Sequence, residues 1–177
     1  TPANTLILGG PGGGKTVLAR NIVAWCEYAH RSCFVVTRAS RADDYRASLR
    51  NAFKHMRNHD VQTTYIMEFD ESMPTFAIAI ISAMLAMAPF KHSSVIIIAP
   101  DYEMLMPVMP MFSRFAWCGH GSPHIKSGNT LLDTVMGMAV SIIAKPNGRA
   151  VISREGAAPQ VIQVLYRNPD SSGRFHL

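Results

Sequence analysis

The most specific chemistry in this chain lies in eight consecutive residues, Gly9-Gly10-Pro11-Gly12-Gly13-Gly14-Lys15-Thr16. They fit the pattern G-x-x-x-x-G-K-[ST] without a mismatch, between a short apolar run (Thr5 to Leu8) and a stretch with helical spacing that begins at Lys15. Glycines allow positive φ, so successive backbone N–H groups can turn inward around phosphate oxygens. The first turn of the helix adds the positive end of its dipole. On this reading Gly9 to Thr16, with Val17 next in the helix, cradle a nucleoside triphosphate such as ATP. Lys15 reaches the β- and γ-phosphates, and the Thr16 hydroxyl is a hard oxygen ligand for Mg²⁺.

Such a site needs an acid at the end of a neighbouring strand to hold the Mg²⁺ shell, and hydrolysis needs a group that activates water. Two segments compete. In Tyr65-Ile66-Met67-Glu68-Phe69-Asp70-Glu71, Asp70 would serve the Mg²⁺ and Glu71 would be the general base. Glu68, inside the strand, is expected to face solvent or a partner. The second segment is Ile96-Ile97-Ile98-Ala99-Pro100-Asp101, with Glu103 beyond. The adjacent acid pair favours the first segment and leaves the second as the strand between the loop and the acids. Asp70-Glu71 also suit the start of the following helix, as a cap and a first-turn acid.

Basic residues gather in one place. Arg46, Arg50, Lys54 and Arg57 recur at spacings of 4, 4 and 3, with Arg38 and Arg41 just upstream. They form a stripe that is either a solvated helix face, a track for phosphate backbone or a subunit contact. Arg114 is a candidate arginine finger supplied to a neighbour's γ-phosphate. Cys118, His120 and His124 are spaced like metal ligands, but three close ligands fall short of the four of a structural zinc site. Met104, Met106, Met109 and Met111 are read as core filling.

The elements that must position these groups alternate. Thr5–Leu8, Ser32–Thr37, Thr63–Phe69 and Ser94–Ala99 read as buried strands. Lys15 to His30, Ala42 to Asn58 and Met73 to Met87 read as helices. In the second helix Tyr45, Leu49, Phe53 and Met56 form an apolar stripe. Residues 102–115 read as irregular or short-helical, Phe115–Cys118 as an edge strand and Leu131–Ile143 as a helix. Arg149–Arg154 and Gln160–Tyr166 form a terminal hairpin. Alternation of this kind predicts an α/β fold with a mainly parallel sheet flanked by helices, and residues 1–177 as a single domain.

Composition excludes several classes. Charged residues are 16% of the 177, against a typical ~25%, while apolar residues are 48%. The chain is therefore neither a disordered tail nor a solvated coiled coil. The net charge of +5 favours a polyanionic partner. The cysteines (Cys26, Cys33, Cys118) are too scattered for a disulfide framework, and no secretory leader is read at the start. The longest apolar run, Phe76 to Met87, is too short to span a membrane. These features point to a cytoplasmic location.

The order of parts resembles the FtsK/HerA superfamily of P-loop motors. It runs from the glycine loop to Cys33-Phe-Val-Val-Thr37, the acids Asp70-Glu71, Ser94-Val-Ile-Ile-Ile-Ala99, the Arg114 stretch and the hairpin at Gly148–Arg154. The small size is similar to that of the genome-packaging ATPases of tailless double-stranded DNA viruses of the poxvirus and tectivirus type. The resemblance implies a RecA-like core, a homo-oligomeric ring, a hexamer, and ATP-driven movement of duplex DNA toward a capsid or portal vertex, in host cytoplasm or virion. It would make Lys15 and Thr16 the phosphate and Mg²⁺ residues, Asp70 and Glu71 the acid pair and Arg114 the finger in trans. Such motors carry a polar amide after the middle strand; here Ala99-Pro100-Asp101 stand there, so Asp101 either substitutes for it or is the Mg²⁺-shell acid. Related secretion, conjugation or phage-assembly ATPases share this order of parts. A small-molecule kinase fits less well, because no compact arginine-rich lid follows the acid strand.

Overall fold

A computed structural model describes residues 3–38, 41–69, 71–72, 74–118, 130, 133–135, 137–138, 149–154 and 156–164. Its strands are β1 (Thr5–Leu8), β2 (Ser32–Val36), β3 (Thr63–Glu68), β4 (Ser94–Ala99), β5 (Arg114–Cys118), β6 (Arg149–Arg154) and β7 (Gln160–Gln163). The helices are α1 (Lys15–Tyr28), α2 (Ala42–Asn58) and α3 (Pro74–Met87), with a 3-10 helix over Glu103–Met111. Residues 133–135 and 137–138 are helical, within the helix read from sequence. The Asp70 position, His120 and His124 lie outside the described residues.

The strands form one sheet in the order β2-β3-β4-β1-β5-β6-β7. The first five run parallel, and β6 and β7 return antiparallel as the hairpin. Parallel strands covered on both faces read as unbroken apolar runs rather than as alternation. That is why Thr5–Leu8 and Ser94–Ala99 are so uniformly hydrophobic. Strand β4 lies between β1 and β3, as the sequence implied for the strand between loop and acids. Segment 115–118 is not an edge strand: β5 pairs with β1 on one side and β6 on the other. The hairpin supplies the outer neighbour, a long-range pairing that local composition does not encode.

The two faces carry separate cores. On one, Leu6, Leu8, Tyr65, Met67 and Ile97 meet Tyr45 and Leu49 of α2, Ile81 and Met84 of α3, and Leu105. On the other, Ile7, Ile66, Ile96, Ile98 and Ala116 meet Leu18 and Ala19 of α1. The apolar stripe on α2 therefore does what its spacing predicts, with Phe53 half-buried at its margin. The methionine cluster divides: Met109 is buried, while Met104 and Met106 are more than 40% exposed because the 3-10 helix turns them outward.

Helix α2 also fixes the end of β3. Tyr45 is fully buried and its hydroxyl donates to the carbonyl of Glu68 at 2.8 Å. Tyr45→Phe should lower stability by about 1–2 kcal/mol, since it leaves a carbonyl unpaired while keeping the packing. Urea melts of both proteins check this; equal midpoints would contradict it.

Candidate nucleotide site

The loop between β1 and α1 rests on the end of β5. A Cβ placed on Gly9 would lie 2.0 Å from the carbonyl oxygen of Cys118, and one on Gly13 would lie 2.3 Å from the same atom. Neither position can hold a side chain. Gly9 also has φ +147, which other residues rarely adopt. The loop is thus clamped between the end of its own strand and the Cys118 carbonyl. Gly14 caps α1 with φ 90, which releases the first N–H groups of the helix toward the loop.

Lys15 folds back over this loop. Its ammonium donates to the carbonyl of Gly9 and, at 2.8 Å, to that of Gly10. Burial lowers its pKa below the ordinary lysine range; the nearby Cys118 and Glu68 oppose that shift and Arg38 adds to it. An anion entering the loop would restore charge partners to this ammonium, so the site favours phosphate.

Beside the loop lies an open cleft of about 230 Å³, lined by Pro11, Lys15, Thr16, Arg38, Glu68 and the end of β4. Glu68, expected to face solvent or a partner, lines this open cleft beside the loop and finds its partner in Arg38. Its side chain follows the parity of Ile66 and Ile98 onto the α1 face, and its carboxylate accepts the backbone N–H of Arg38 at 2.9 Å. That parity was the available signal, because α1 must cover the face toward which its own loop turns. The Thr16 hydroxyl and the Glu68 carboxylate are hard oxygen donors in one cleft, a set that suits Mg²⁺. Glu71 sits at the rim, 3.9 Å from the guanidinium of Arg38. Arg38 is the other residue of the cleft that motif reading did not single out.

Other candidates fall elsewhere. Asp101 is exposed, and its carboxylate accepts the Glu103 N–H at 3.0 Å, so it caps the 3-10 helix. Arg114 opens β5 opposite Thr5, at the far end of β1 from the loop, and is not brought to its own chain's cleft. The stripe on α2 is exposed: Arg46 and Arg50 lie 5.8 and 5.2 Å over the Phe76 ring, and Arg46 pairs with Asp43 at 3.6 Å. Cys118 is buried beneath the loop, and no metal-binding cluster forms among the described residues.

Burial pushes the Cys118 thiol up from 9.0 to about 12, against the pull of Lys15. The folded protein therefore keeps a proton that the unfolded chain releases above pH 9. Stability should fall as pH rises from 9 toward 12, by up to about 1.4 kcal/mol per pH unit from this group. Denaturant melts across that range should show a shallower decline for Cys118→Ala. Equal slopes would contradict the assignment.

No family model matches the chain, and no curated protein matches it in sequence. Solved structures do match in fold. The genome-packaging NTPase B204 of Sulfolobus turreted icosahedral virus 2, in complex with ATP-gammaS, superposes with a TM-score of 0.69 at 9% identity, over 93% of this chain and 98% of that one. The DNA-packaging ATPase B204 of Sulfolobus turreted icosahedral virus gives a TM-score of 0.64 at 9% identity, over 93% and 99%. ATPases 2 and 3 of EssC from Geobacillus thermodenitrificans give 0.54 at 11%, over 92% of this chain and 40% of that one. The fold is therefore the one these NTPase structures share, a mostly parallel sheet flanked by helices with an antiparallel terminal hairpin, as the sequence predicts. No helix among the described residues is long and apolar enough to cross a membrane.

Proposed function

We propose that this chain is an ATP-hydrolysing motor that moves double-stranded DNA, of the viral genome-packaging kind, and works as a homo-oligomeric ring, a hexamer, at a capsid or portal vertex. The observation that carries the reading is the cleft, in which Lys15 and Thr16 share one space with Glu68 and Arg38. The strand order β3-β4-β1 that builds it, and the likeness to the B204 NTPases over nearly the whole chain, support the same reading.

In this reading the loop N–H groups and Lys15 hold the phosphates. Thr16 and Glu68 would hold Mg²⁺, with Asp70 as the further candidate from sequence; when bound, the ion neutralises charge on the β- and γ-oxygens. Glu71 orients a water and takes its proton as the water oxygen bonds to the γ-phosphorus and the bond to the β-bridging oxygen breaks. Arg38 stands beside Glu71 and is placed to meet charge developing on the γ-phosphoryl group. The exposed stripe on α2, with Lys54 and Arg57 beyond Phe76, offers phosphate-backbone contacts.

ATP turnover measured with and without duplex DNA tests this proposal. DNA should stimulate turnover. Glu71→Gln should lower it by about 10²-fold or more while nucleotide still binds, and Glu68→Gln should raise the Mg²⁺ concentration needed. Unchanged turnover in Glu71→Gln would remove that base. Turnover indifferent to DNA would favour a secretion or assembly motor.

A further inference from the structure

At the end of the sheet away from the glycine loop, on the α1 face, lies a second cavity of about 420 Å³. Its walls are mostly apolar, with Ile22 of α1, Ile96, Ile152 and the ring of Trp25, which is 51% exposed, beside the polar Thr5, Thr64 and Ser94. Two guanidiniums border it. Arg31 lies 4.8 Å over the Trp25 ring, and Arg114 stands at the foot of β5. A smaller cavity of about 270 Å³ shares Arg114 and Ile152 with it and adds Arg154.

The sheet register makes this cluster unusual. Arg114 and Arg154 are direct partners on the antiparallel strands β5 and β6, and their side chains leave the same face. Like charges placed directly opposite across strands are destabilising. Among the described residues, no carboxylate pairs with Arg31, Arg114 or Arg154. Among the described residues, the chain thus holds three cations around an apolar hollow with no carboxylate paired to them. A bound anion would convert that repulsion into attraction, and guanidinium forks match carboxylate and phosphate geometry. The volume lies in the range of small-molecule sites, and the exposed indole offers a flat surface for stacking.

We propose that this cavity is a binding site for a small aromatic anion, its ring against Trp25 and the isoleucines and its carboxylate or phosphate held among Arg31, Arg114 and Arg154. It is separate from the nucleotide cleft, since Arg114 and Cys118 stand at opposite ends of β5. The inference does not rest on the motor reading.

Calorimetric titration of the full chain with 2-naphthoate, 2-naphthyl phosphate and neutral 2-naphthamide tests it, with and without saturating ATPγS. Both anions, or one in preference, should bind at one site per chain with the same affinity whether or not ATPγS is present. The stronger of the two identifies carboxylate or phosphate as the natural anion. The amide should bind at least about tenfold more weakly, and Arg154→Ala and Arg31→Ala should each weaken the anions by about tenfold. The melting temperature of ligand-free Arg154→Ala should be unchanged or higher, because a cross-strand repulsion is gone; a purely structural arginine would lower it. Amide binding as tight as the anions, native affinity in both variants, displacement by ATPγS, or no binding at millimolar ligand would each overturn the proposal.

Discussion

The backbone of the loop after β1 lies directly on the carbonyl of Cys118, and much of the structure exists to keep that contact. Gly9 and Gly13 leave room for the Cys118 oxygen where any Cβ would collide with it. The contact requires β5 beside β1 in parallel register, with Leu8 opposite Trp117, so that the strand ends coincide. Strand β5 in turn needs a neighbour on its other side, which the terminal hairpin provides. A loop held this way has its N–H groups arranged before any phosphate arrives, and preorganised donors cost no reorganisation when charge enters.

The sheet has two chemically different ends. At the C-terminal ends of the parallel strands, Lys15, Thr16, Arg38 and Glu68 converge, with Glu71 at the rim. At the opposite end, three arginines and an indole surround an apolar hollow. Helix α1 spans the distance: it begins at Lys15 and carries Ile22 and Trp25 near its other end, about 15 Å along its axis. Each end follows from the same alternation, because residues two apart on a parallel strand share a face. Ile66 and Glu68 on β3, and Arg114 and Ala116 on β5, point the same way for that reason.

Much of this was legible in the residues. The glycine loop, the strand and helix around it, the apolar stripe on α2 and the terminal hairpin all have local signatures, and the strand order followed from needing one strand between loop and acids. What was missed depended on pairing between distant segments. Strand β5 read as an edge because nothing in Phe115–Cys118 announces a partner arriving more than thirty residues later. The cleft beside the loop was not read as the place of Glu68, although the parity of β3 carries it once α1 is set on the loop's face. Arg114 stands at the end of its own sheet away from the loop, so as a finger it would have to serve a neighbour's site. Asp101 has a turn-capping role that composition also allows.

The central claim is that the loop on Cys118, with Lys15 above it, is built to receive a nucleoside triphosphate. The direct measurement is a calorimetric titration of the protein with ATPγS in the presence of Mg²⁺, repeated for Lys15→Ala. The account predicts one site per chain in the native protein and at least about tenfold weaker binding in the variant, which loses a charged phosphate contact. Absence of binding to the native protein, or equal affinity in the two, would contradict it.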